Sequence, residues 1–362
     1  MNNIFFKDQN YKNVTLRPFN YITPSVGSTK ISILLLLIPQ IIMLFVTKSS
    51  GSLILLAVTI VASLASEGIF NAFVKATQFD WLTTTIQGIL IGMLIPSQYP
   101  PVALFFITVL TLILTKYAFG GFANSWVNPA VITVAVAYFI DMSAFPMYLV
   151  SVQELQSRNS ALSLIQSGDI SMVSCDSAIT SFLNRTIFRI AGVAIPEGYI
   201  SLFWDCNSVI PAFRFNFITL LSSIILISFD MVEIVIPACF ILIYSLLVKF
   251  ISPLIIHGIP CQGDILLALL TSGTLFSTLY LLQWYGTTPV TTVGKIFYGC
   301  ISGVMAFLVM GCGTSSAGYV FTVLIMNCIS PIIQVVESRN VKYRIEKTLI
   351  PCISALQEVH HA

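Results

Sequence analysis

Long apolar runs separated by short polar turns make up most of this chain. A helix needs roughly 20 apolar residues to cross a bilayer, and ten runs are near enough to that length to be spans. They are predicted at 31–47, 52–74, 80–96, 102–116, 120–147, 215–229, 231–251, 264–284, 296–310 and 319–333. The pattern predicts an all-α polytopic membrane protein with about ten transmembrane helices.

One long interval, residues 148–212, is too polar to lie in hydrocarbon. Its charged side chains are Glu154, Arg158, Asp169, Asp176, Arg185, Arg189, Glu197 and Asp205. It divides the chain into an N-terminal membrane half (1–147), a loop (148–212), a C-terminal membrane half (213–334) and a tail (335–362). Short or interrupted spans at corresponding places in two halves are typical of transporter repeats, so we expect two five-helix repeats.

Two runs contain residues that disfavour a continuous helix. Residues 120–130 read GGFANSWVNPA, and Pro129 lacks an amide hydrogen and clashes with the preceding turn. The eighth run leads into the polar stretch 287–292. We expect broken spans at both places, with backbone groups satisfied by protein, water or ligand.

The first break has the composition of a ligand surface. Glycine lets backbone approach a ligand closely, and asparagine amides both donate and accept hydrogen bonds. A flat heterocycle with a polar edge, such as an isoalloxazine, suits that surface, whereas a plain turn between spans is the simpler alternative. The candidate residues are Gly120, Gly121, Asn124 and Asn128.

Composition supports the membrane interpretation and excludes some partners. Only 9% of residues are charged and 56% are apolar, against roughly 25% and 45 to 50% in soluble domains. The net charge of +2 and the absence of a basic patch argue against nucleic acid. Residues 1–30 show no apolar segment with a small-residue cleavage site, so we expect insertion to begin with the first span.

The distribution of Lys and Arg predicts the orientation. On a ten-span layout, eleven lie on the side of the termini and six on the other. Excess positive charge marks the cytoplasmic side, so we expect cytoplasmic termini and an extracytoplasmic 148–212 loop. Cys175 and Cys206 share this loop and could pair in an oxidising compartment.

Acids near membrane depth are expensive and are therefore functional candidates. Glu67 lies late in the second run. It is either an ion or proton site or an acid that reaches the cytoplasmic interface. Asp80 and Asp264 each open a short span, where an acid complements the helix dipole. For these two acids, a helix-capping role is favoured over an ion-pathway role. All three are candidate ion-pathway residues.

Common soluble-enzyme motifs are missing. The sequence has no P-loop, no dinucleotide-binding GxGxxG, no HExxH and no GxSxG. Three histidines and eight cysteines without a CxxC pair argue against a metal site or a hydrolase triad. Such a chain moves a solute or ion across the membrane, or holds a cofactor that does its chemistry.

Several motifs resemble the RnfD and NqrB family of membrane subunits. The 120–130 stretch is similar to the family signature GG-x-x-x-N-x-F/W-x-NPA. Residues 287–299 resemble TDPVT…GK…YG, with Thr288 in place of the Asp. Leu324 to Asn327 with Pro331 resembles the LLMN…P ending, and Asp80 with Pro96 resembles the DGSALLTG…LPP span. The short N-terminal segment favours the RnfD type.

The resemblance implies a function and a cofactor. Family members belong to bacterial inner-membrane complexes that couple electron transfer to Na⁺ or H⁺ translocation, and usually carry FMN as a phosphoester on a Thr of a D-x-[ST]-G-A-T motif. With Thr180 matched to the motif's Ser/Thr, Leu183 stands at the acceptor position and has no hydroxyl. Thr180 and Thr186 are then the alternative acceptors for FMN, and riboflavin is the alternative flavin.

Three hypotheses follow. The first is a flavin-binding subunit of an Rnf-type complex, in contact with the complex's other membrane and peripheral subunits and with lipid. The second is a channel or carrier for a small solute, because the repeat architecture alone does not determine function. The third is a scaffold subunit without a cofactor, which the leucine at the acceptor position favours.

Overall fold

The computed structural model describes residues 24–74, 79–119, 126–146, 153, 164–166, 168, 170–192, 194–257, 260–261, 263–311 and 315–361. Within these ranges the secondary structure is helical and contains no strand. The predicted all-α class is therefore confirmed for the described part of the chain.

The N-terminal half consists of apolar helices; the first four follow the predicted runs within about five residues, and the fifth covers 129–140 of the predicted run 120–147. They are α1 (Val26–Val46), α2 (Ser50–Val74), α3 (Trp81–Leu94), α4 (Pro101–Leu112) and α5 (Pro129–Ile140). A π-helical turn, Ile113–Tyr117, continues α4, and a 3₁₀ turn, Met142–Ala144, follows α5. Helix α2 packs against α3 and α4, and α4 packs against α5.

Short helices make up the described part of the polar loop. They are α6 (Asp176–Thr186), α7 (Phe188–Ala191) and α8 (Tyr199–Trp204), followed by a 3₁₀ turn at Pro211–Phe213. The buried residues of α6 are Asp176 and Thr180, and its exposed residues include the apolar Ile179 and Phe182. Helix α8 packs against α6 and against the C-terminal half.

The C-terminal half contains α9 (Asn216–Ser228), α10 (Val235–Phe250), α11 (Ser252–Ile256), α12 (Ile265–Thr271), α13 (Thr274–Tyr280), α14 (Thr292–Met310) and α15 (Gly318–His361). Helix α10 packs along α14, which packs along α15, and α15 also contacts α5 of the other half. Among the described residues, five helical segments are long and apolar enough to cross a membrane: Val26–Val46, Ser50–Phe73, Val235–Ile256, Thr292–Met310 and Gly318–Lys347.

The predicted eighth span is not one helix. Residues 264–284 form α12 and α13, separated at Ser272 and Gly273, where Gly273 has φ +66°. A Cβ at Gly273 would lie 2.0 Å from a ring carbon of Phe213, so only glycine fits. The break predicted for 287–292 therefore begins earlier, in the middle of the run.

The last helix extends beyond the predicted span at 319–333. Helix α15 runs without interruption from Gly318 to His361, so the predicted boundary between half and tail at 334/335 falls inside it. Residues 334–350 contain no glycine or proline, and nothing local ends a helix there.

Candidate functional site

The most polar buried cluster lies between α2, α3 and the π-helical turn after α4. Its carboxylate is Glu67, 5% exposed, and its cation is Lys116, 2% exposed. Lys116 Nζ lies 3.1 Å from Glu67 Oε2. Thr84 Oγ1 donates to the same oxygen at 2.9 Å, and the hydroxyl of Tyr117 also donates to it. Glu67 is thus both ion-paired and hydrogen-bonded inside the helix bundle.

The π-helical turn explains how two consecutive residues reach this carboxylate. In a regular α-helix, neighbours in sequence point in directions about 100° apart. The wider turn at Ile113–Tyr117 reduces this angle, and Lys116 and Tyr117 are both buried and both contact the Glu67 carboxylate. Single π-helical turns occur frequently at functional sites.

A second ion pair adjoins the first and lies nearer the surface. Lys30 Nζ is 2.9 Å from Asp80 Oδ2. Asp80 caps α3, its Oδ1 accepting from the amide of Thr83 at 3.4 Å. The backbone amide of Asp80 also donates to Glu67 Oε1 at 3.4 Å. The two ion pairs therefore form one hydrogen-bonded cluster.

Two buried polar side chains lie further along the same helices. The amide of Gln87, one turn beyond Thr84 on α3, has no hydrogen-bond partner among the described residues, and neither has the hydroxyl of Thr108 on α4. Both residues are fully buried. An unpartnered buried polar group is costly and calls for an explanation such as a bound ion or water.

Asp264 also caps a short helix, but its environment differs from that of Asp80. It caps α12, with Oδ1 accepting from the amide of Leu267 at 2.9 Å. Its other oxygen accepts from the hydroxyl of Tyr199, in the loop helix α8. Burial and the Asp264 charge raise the pKa of Tyr199 well above its ordinary value, so this hydroxyl stays protonated and donates.

Asn128 connects the two halves. It caps α5, its Oδ1 accepting from the amide of Ala130 at 3.1 Å, and its Nδ2 donates to the carbonyl of Leu281 at 3.3 Å. Both ends of its buried amide thus have protein partners. The other predicted flavin-surface residues, Gly120, Gly121 and Asn124, lie outside the described residues.

The loop is organised by the carboxylate of Asp176. Its Oδ1 accepts from the Gly198 amide at 3.0 Å and from the Thr180 hydroxyl at 3.1 Å. Its Oδ2 accepts from the amide and hydroxyl of Ser201, at 2.7 and 2.6 Å. Burial alone would raise the pKa of Asp176, but these hydrogen bonds outweigh it and lower the pKa below its ordinary value. The ionised side chain holds α6 against α8.

The two candidate threonines have different surroundings. Thr180 is 4% exposed and engaged with Asp176, whereas Thr186 is exposed at the end of α6, donating to the carbonyl of Phe182 at 2.8 Å. Leu183 lines an apolar cavity of about 290 Å³ between the loop helices and the membrane helices. Of these three positions, only Thr186 presents a hydroxyl to solvent.

The loop cysteines do not pair with each other. Cys175 is an exposed thiol, and Cys206 is a buried thiol whose Sγ lies 2.9 Å from the carbonyl oxygen of Phe213. Burial raises the pKa of Cys206 to about 12. Cys206 therefore acts as a neutral, small buried residue.

Comparison with known sequences decides the family. The profile of the NQR2, RnfD, RnfE family matches residues 13–342, most of the 362-residue chain. The chain belongs to this family. The resemblance predicted from the motifs is thereby confirmed.

Relatives within the family carry consistent names. The chain is 26% identical to the D subunit of the ion-translocating oxidoreductase complex of Buchnera aphidicola subsp. Baizongia pistaciae over 275 residues, covering 69% of this chain and 75% of the relative. It is 20% identical to the D subunit of the Na(+)-translocating ferredoxin:NAD(+) oxidoreductase complex of Acetobacterium woodii over 317 residues, covering 86% and 88%. It is 22% identical to the corresponding D subunit of the ion-translocating oxidoreductase complex of Sodalis glossinidius over 340 residues, covering 87% and 94%.

The described residues do not fit an FMN phosphoester at the position that the family motif uses. Leu183 has no acceptor oxygen and lines an apolar cavity, and the Thr180 hydroxyl is buried against Asp176. Thr186 does meet the requirement of an accessible hydroxyl, and Arg185 and Arg189 beside it are exposed cations that suit a phosphate.

The sequence pattern indicates Glu67 and both capping acids, but not the partners of Glu67. Lys116 is only the last residue of the predicted span 102–116, and no motif in the sequence singles out Tyr117 or Thr84. A lysine followed by a tyrosine at the end of an apolar run is the available signal. Their convergence depends on the π-helical turn, which no short-range pattern indicates.

Proposed function

We propose that this chain is the D-type membrane subunit of an ion-translocating oxidoreductase complex in a bacterial inner membrane, and that it assembles with the complex's other membrane and peripheral subunits. The family match over residues 13–342 carries the proposal. It is supported by relatives that are named as the D subunits of such complexes.

The layout proposed for this subunit is two five-span halves, 1–147 and 213–334, with the 148–212 loop outside and both termini and the 335–362 tail inside. Contacts at the helix ends agree with it. Arg214 donates to Ser49 at 2.6 Å, and the Ser97 amide donates to the Val209 carbonyl at 3.1 Å. These contacts put the α1–α2 and α3–α4 turns beside the loop, as ten alternating spans require.

The two capped helices agree with an inverted repeat. In that layout, α3 begins at the inner face with Asp80, and α12 begins at the outer face with Asp264. Tyr199 of the outer loop meets Asp264, whereas Lys30 at the start of α1 meets Asp80. We propose Glu67 and Asp80 as the inner part of the ion pathway and Asp264 as its outer part, since intramembrane acids mark such pathways.

A flavin, FMN or riboflavin, is proposed as the redox group of the subunit. A flavin accepts and donates electrons when bound. Where FMN is covalent, Thr186 is its acceptor, because its hydroxyl is exposed and Thr180 donates to Asp176. The exposed guanidinium groups of Arg185 and Arg189 would face the phosphate, and the buried Asp176 keeps α6 in place.

A second candidate function is that of a scaffold subunit without a cofactor. The observation that favours it is that Leu183, at the acceptor position of the family, has no hydroxyl and lines the apolar cavity beneath the loop. A scaffold would share the partners of the first proposal but would bind no flavin.

Purification of a tagged chain from the membranes of its own organism tests the assignment. The proposal predicts that a tag on this chain recovers the other subunits of an Rnf-type complex, identified by mass spectrometry, in constant proportion. A tag on an unrelated multi-pass protein of the same membrane is the control. Recovery of the chain alone in a mild detergent, while the other subunits assemble without it, would refute the assignment.

A further inference from the structure

The ammonium group of Lys116 lies in a cage of three oxygens. Its Nζ is 3.1 Å from Glu67 Oε2, 3.2 Å from Thr84 Oγ1 and 3.1 Å from the hydroxyl of Tyr117. An ammonium has three N–H donors, so each can face one oxygen. The oxygens come from α2, α3 and the π-helical turn, and only the tertiary structure brings them together.

The charge and chemistry of the cage match a single monovalent cation. One carboxylate supplies one negative charge, and the two hydroxyls are neutral. Hard oxygen ligands of this kind suit alkali and alkaline-earth cations rather than soft metals. The lysine ammonium is a compact point charge, so a free alkali ion would meet the same oxygens if the ammonium left.

The stability of the folded chain does not by itself explain the buried ion pair of Glu67 and Lys116. Removing two charges from water costs several kcal/mol per ion, and well-packed apolar residues often replace a buried pair without loss. Charged side chains inside a membrane bundle are rare and mark ion pathways by default. A buried pair in a family of ion-translocating subunits therefore points to a role in ion passage.

The cage has polar neighbours on both sides. Toward the surface, Glu67 Oε1 accepts from the amide of Asp80, whose side chain is 36% exposed. Deeper in the bundle lie the fully buried Gln87 amide and Thr108 hydroxyl, which have no partner among the described residues. Gln87 is about one turn from Thr84 on α3, and Thr108 precedes Lys116 by about two turns along α4 and the π-helical turn. A cation leaving the cage would thus find unused oxygens.

We propose that Glu67, Thr84 and Tyr117 form a binding site for a monovalent cation, which the ammonium of Lys116 fills as a tethered competitor. An alkali ion enters only when Lys116 withdraws, so Lys116 keeps the path closed in this conformation. The cation site stands on the geometry of the cage; its role in transport rests on the proposed function.

Lys116→Met tests the site, because methionine has a similar length and no charge. The melting temperature of the purified full chain is measured in NaCl, KCl and choline chloride at equal ionic strength. The unmodified chain is expected to melt at the same temperature in all three salts. Lys116→Met is expected to melt about 2 °C higher in NaCl or KCl than in choline chloride, at a cation concentration about tenfold above its dissociation constant.

The control is the double variant Glu67→Gln/Lys116→Met, which removes the carboxylate and should lose the selectivity. Equal melting of Lys116→Met in the three salts would overturn the proposal, and so would equal salt selectivity in the unmodified chain. Lys116→Gln is the second variant if Lys116→Met does not fold. For that variant, retention of ²²Na⁺ or ⁸⁶Rb⁺ is measured after exchange into choline chloride. Retained label supports the cation site, and loss of the label overturns it.

Failure of this inference is distinguishable from failure of the proposed function. Co-purification of partner subunits depends on the identity of the chain and not on the cage. A chain that assembles into the complex but shows no cation selectivity in either Lys116 variant refutes the tethered cation alone. A chain that shows the selectivity without partners refutes the subunit assignment alone.

Discussion

The side-chain amide of Asn128 donates to the backbone carbonyl of Leu281, with 3.3 Å between Nδ2 and O. The same side chain caps α5 through its Oδ1. One buried residue thus starts α5 and satisfies a carbonyl just after the end of α13. Loss of either contact leaves a buried backbone group unsatisfied.

Asn128→Ala is expected to destabilise the chain by about 2 to 4 kcal/mol, because it removes a cap and a buried donor together. Asn128→Ser keeps a capping oxygen but loses the donor, and should cost about half as much. Melting temperatures in detergent check both. Equal effects of the two variants would contradict the double role of the amide.

Close packing of α3 on α2 predicts a cost for adding one methyl group. A Cβ at Gly88 would lie 2.4 Å from Ser63 Oγ and 2.7 Å from Ile60 Cα. Gly88→Ala should therefore destabilise by about 1 to 3 kcal/mol. Gly68→Ala on α2 is the matched control, since nothing lies within 4 Å of its added Cβ; it should be neutral or slightly stabilising. A neutral Gly88→Ala would refute the packing.

The loop should lose stability in acid through Asp176. The folded state lowers the pKa of this carboxyl, so its stabilising effect is complete above the unfolded pKa of about 3.9 and is lost as the pH falls through the folded value. Asp176→Asn places an amide donor against the donors of Ser201 and should destabilise at neutral pH. The difference in melting temperature between the two proteins should shrink as the pH falls from about 5 toward 3. A difference that does not change with pH would contradict this account.

The flavin proposal predicts different outcomes at the two threonines. Thr186→Val should remove any flavin fluorescence that survives denaturation in a gel, whereas Thr180→Val should keep it, because Thr180 is buried against Asp176. The unmodified denatured chain is the reference. Fluorescence that persists in Thr186→Val would refute Thr186 as acceptor. A dark reference band with flavin absorption in the native protein would assign the flavin to a non-covalent site.

The helices were predictable because apolar runs and capping residues act locally. The apolar runs predict Asp80 and Asp264 at helix starts, and both cap helices. Pro129 was predicted to prevent a continuous span, and α5 begins with it. The break at Gly273 was missed, because its cause is the ring of Phe213, sixty residues earlier in the sequence.

The site was predictable only in part. Intramembrane acids are rare enough for Glu67 to be noticed, but its pairing with Lys116 depends on the π-helical turn and on packing of α2 against α4. The Asp176 contacts join residues 22 and 25 positions apart. Such contacts are set by the folded loop and leave no periodic signal in the sequence.

Redox-driven ion uptake tests the central claim most directly. Inverted membrane vesicles are prepared from cells that lack this chain and from the same cells supplied with it, and uptake of ²²Na⁺ and of protons is followed after addition of reduced ferredoxin or NADH. The account predicts uptake only where the chain is present. Equal uptake in both preparations would contradict its assignment to an ion-translocating oxidoreductase complex.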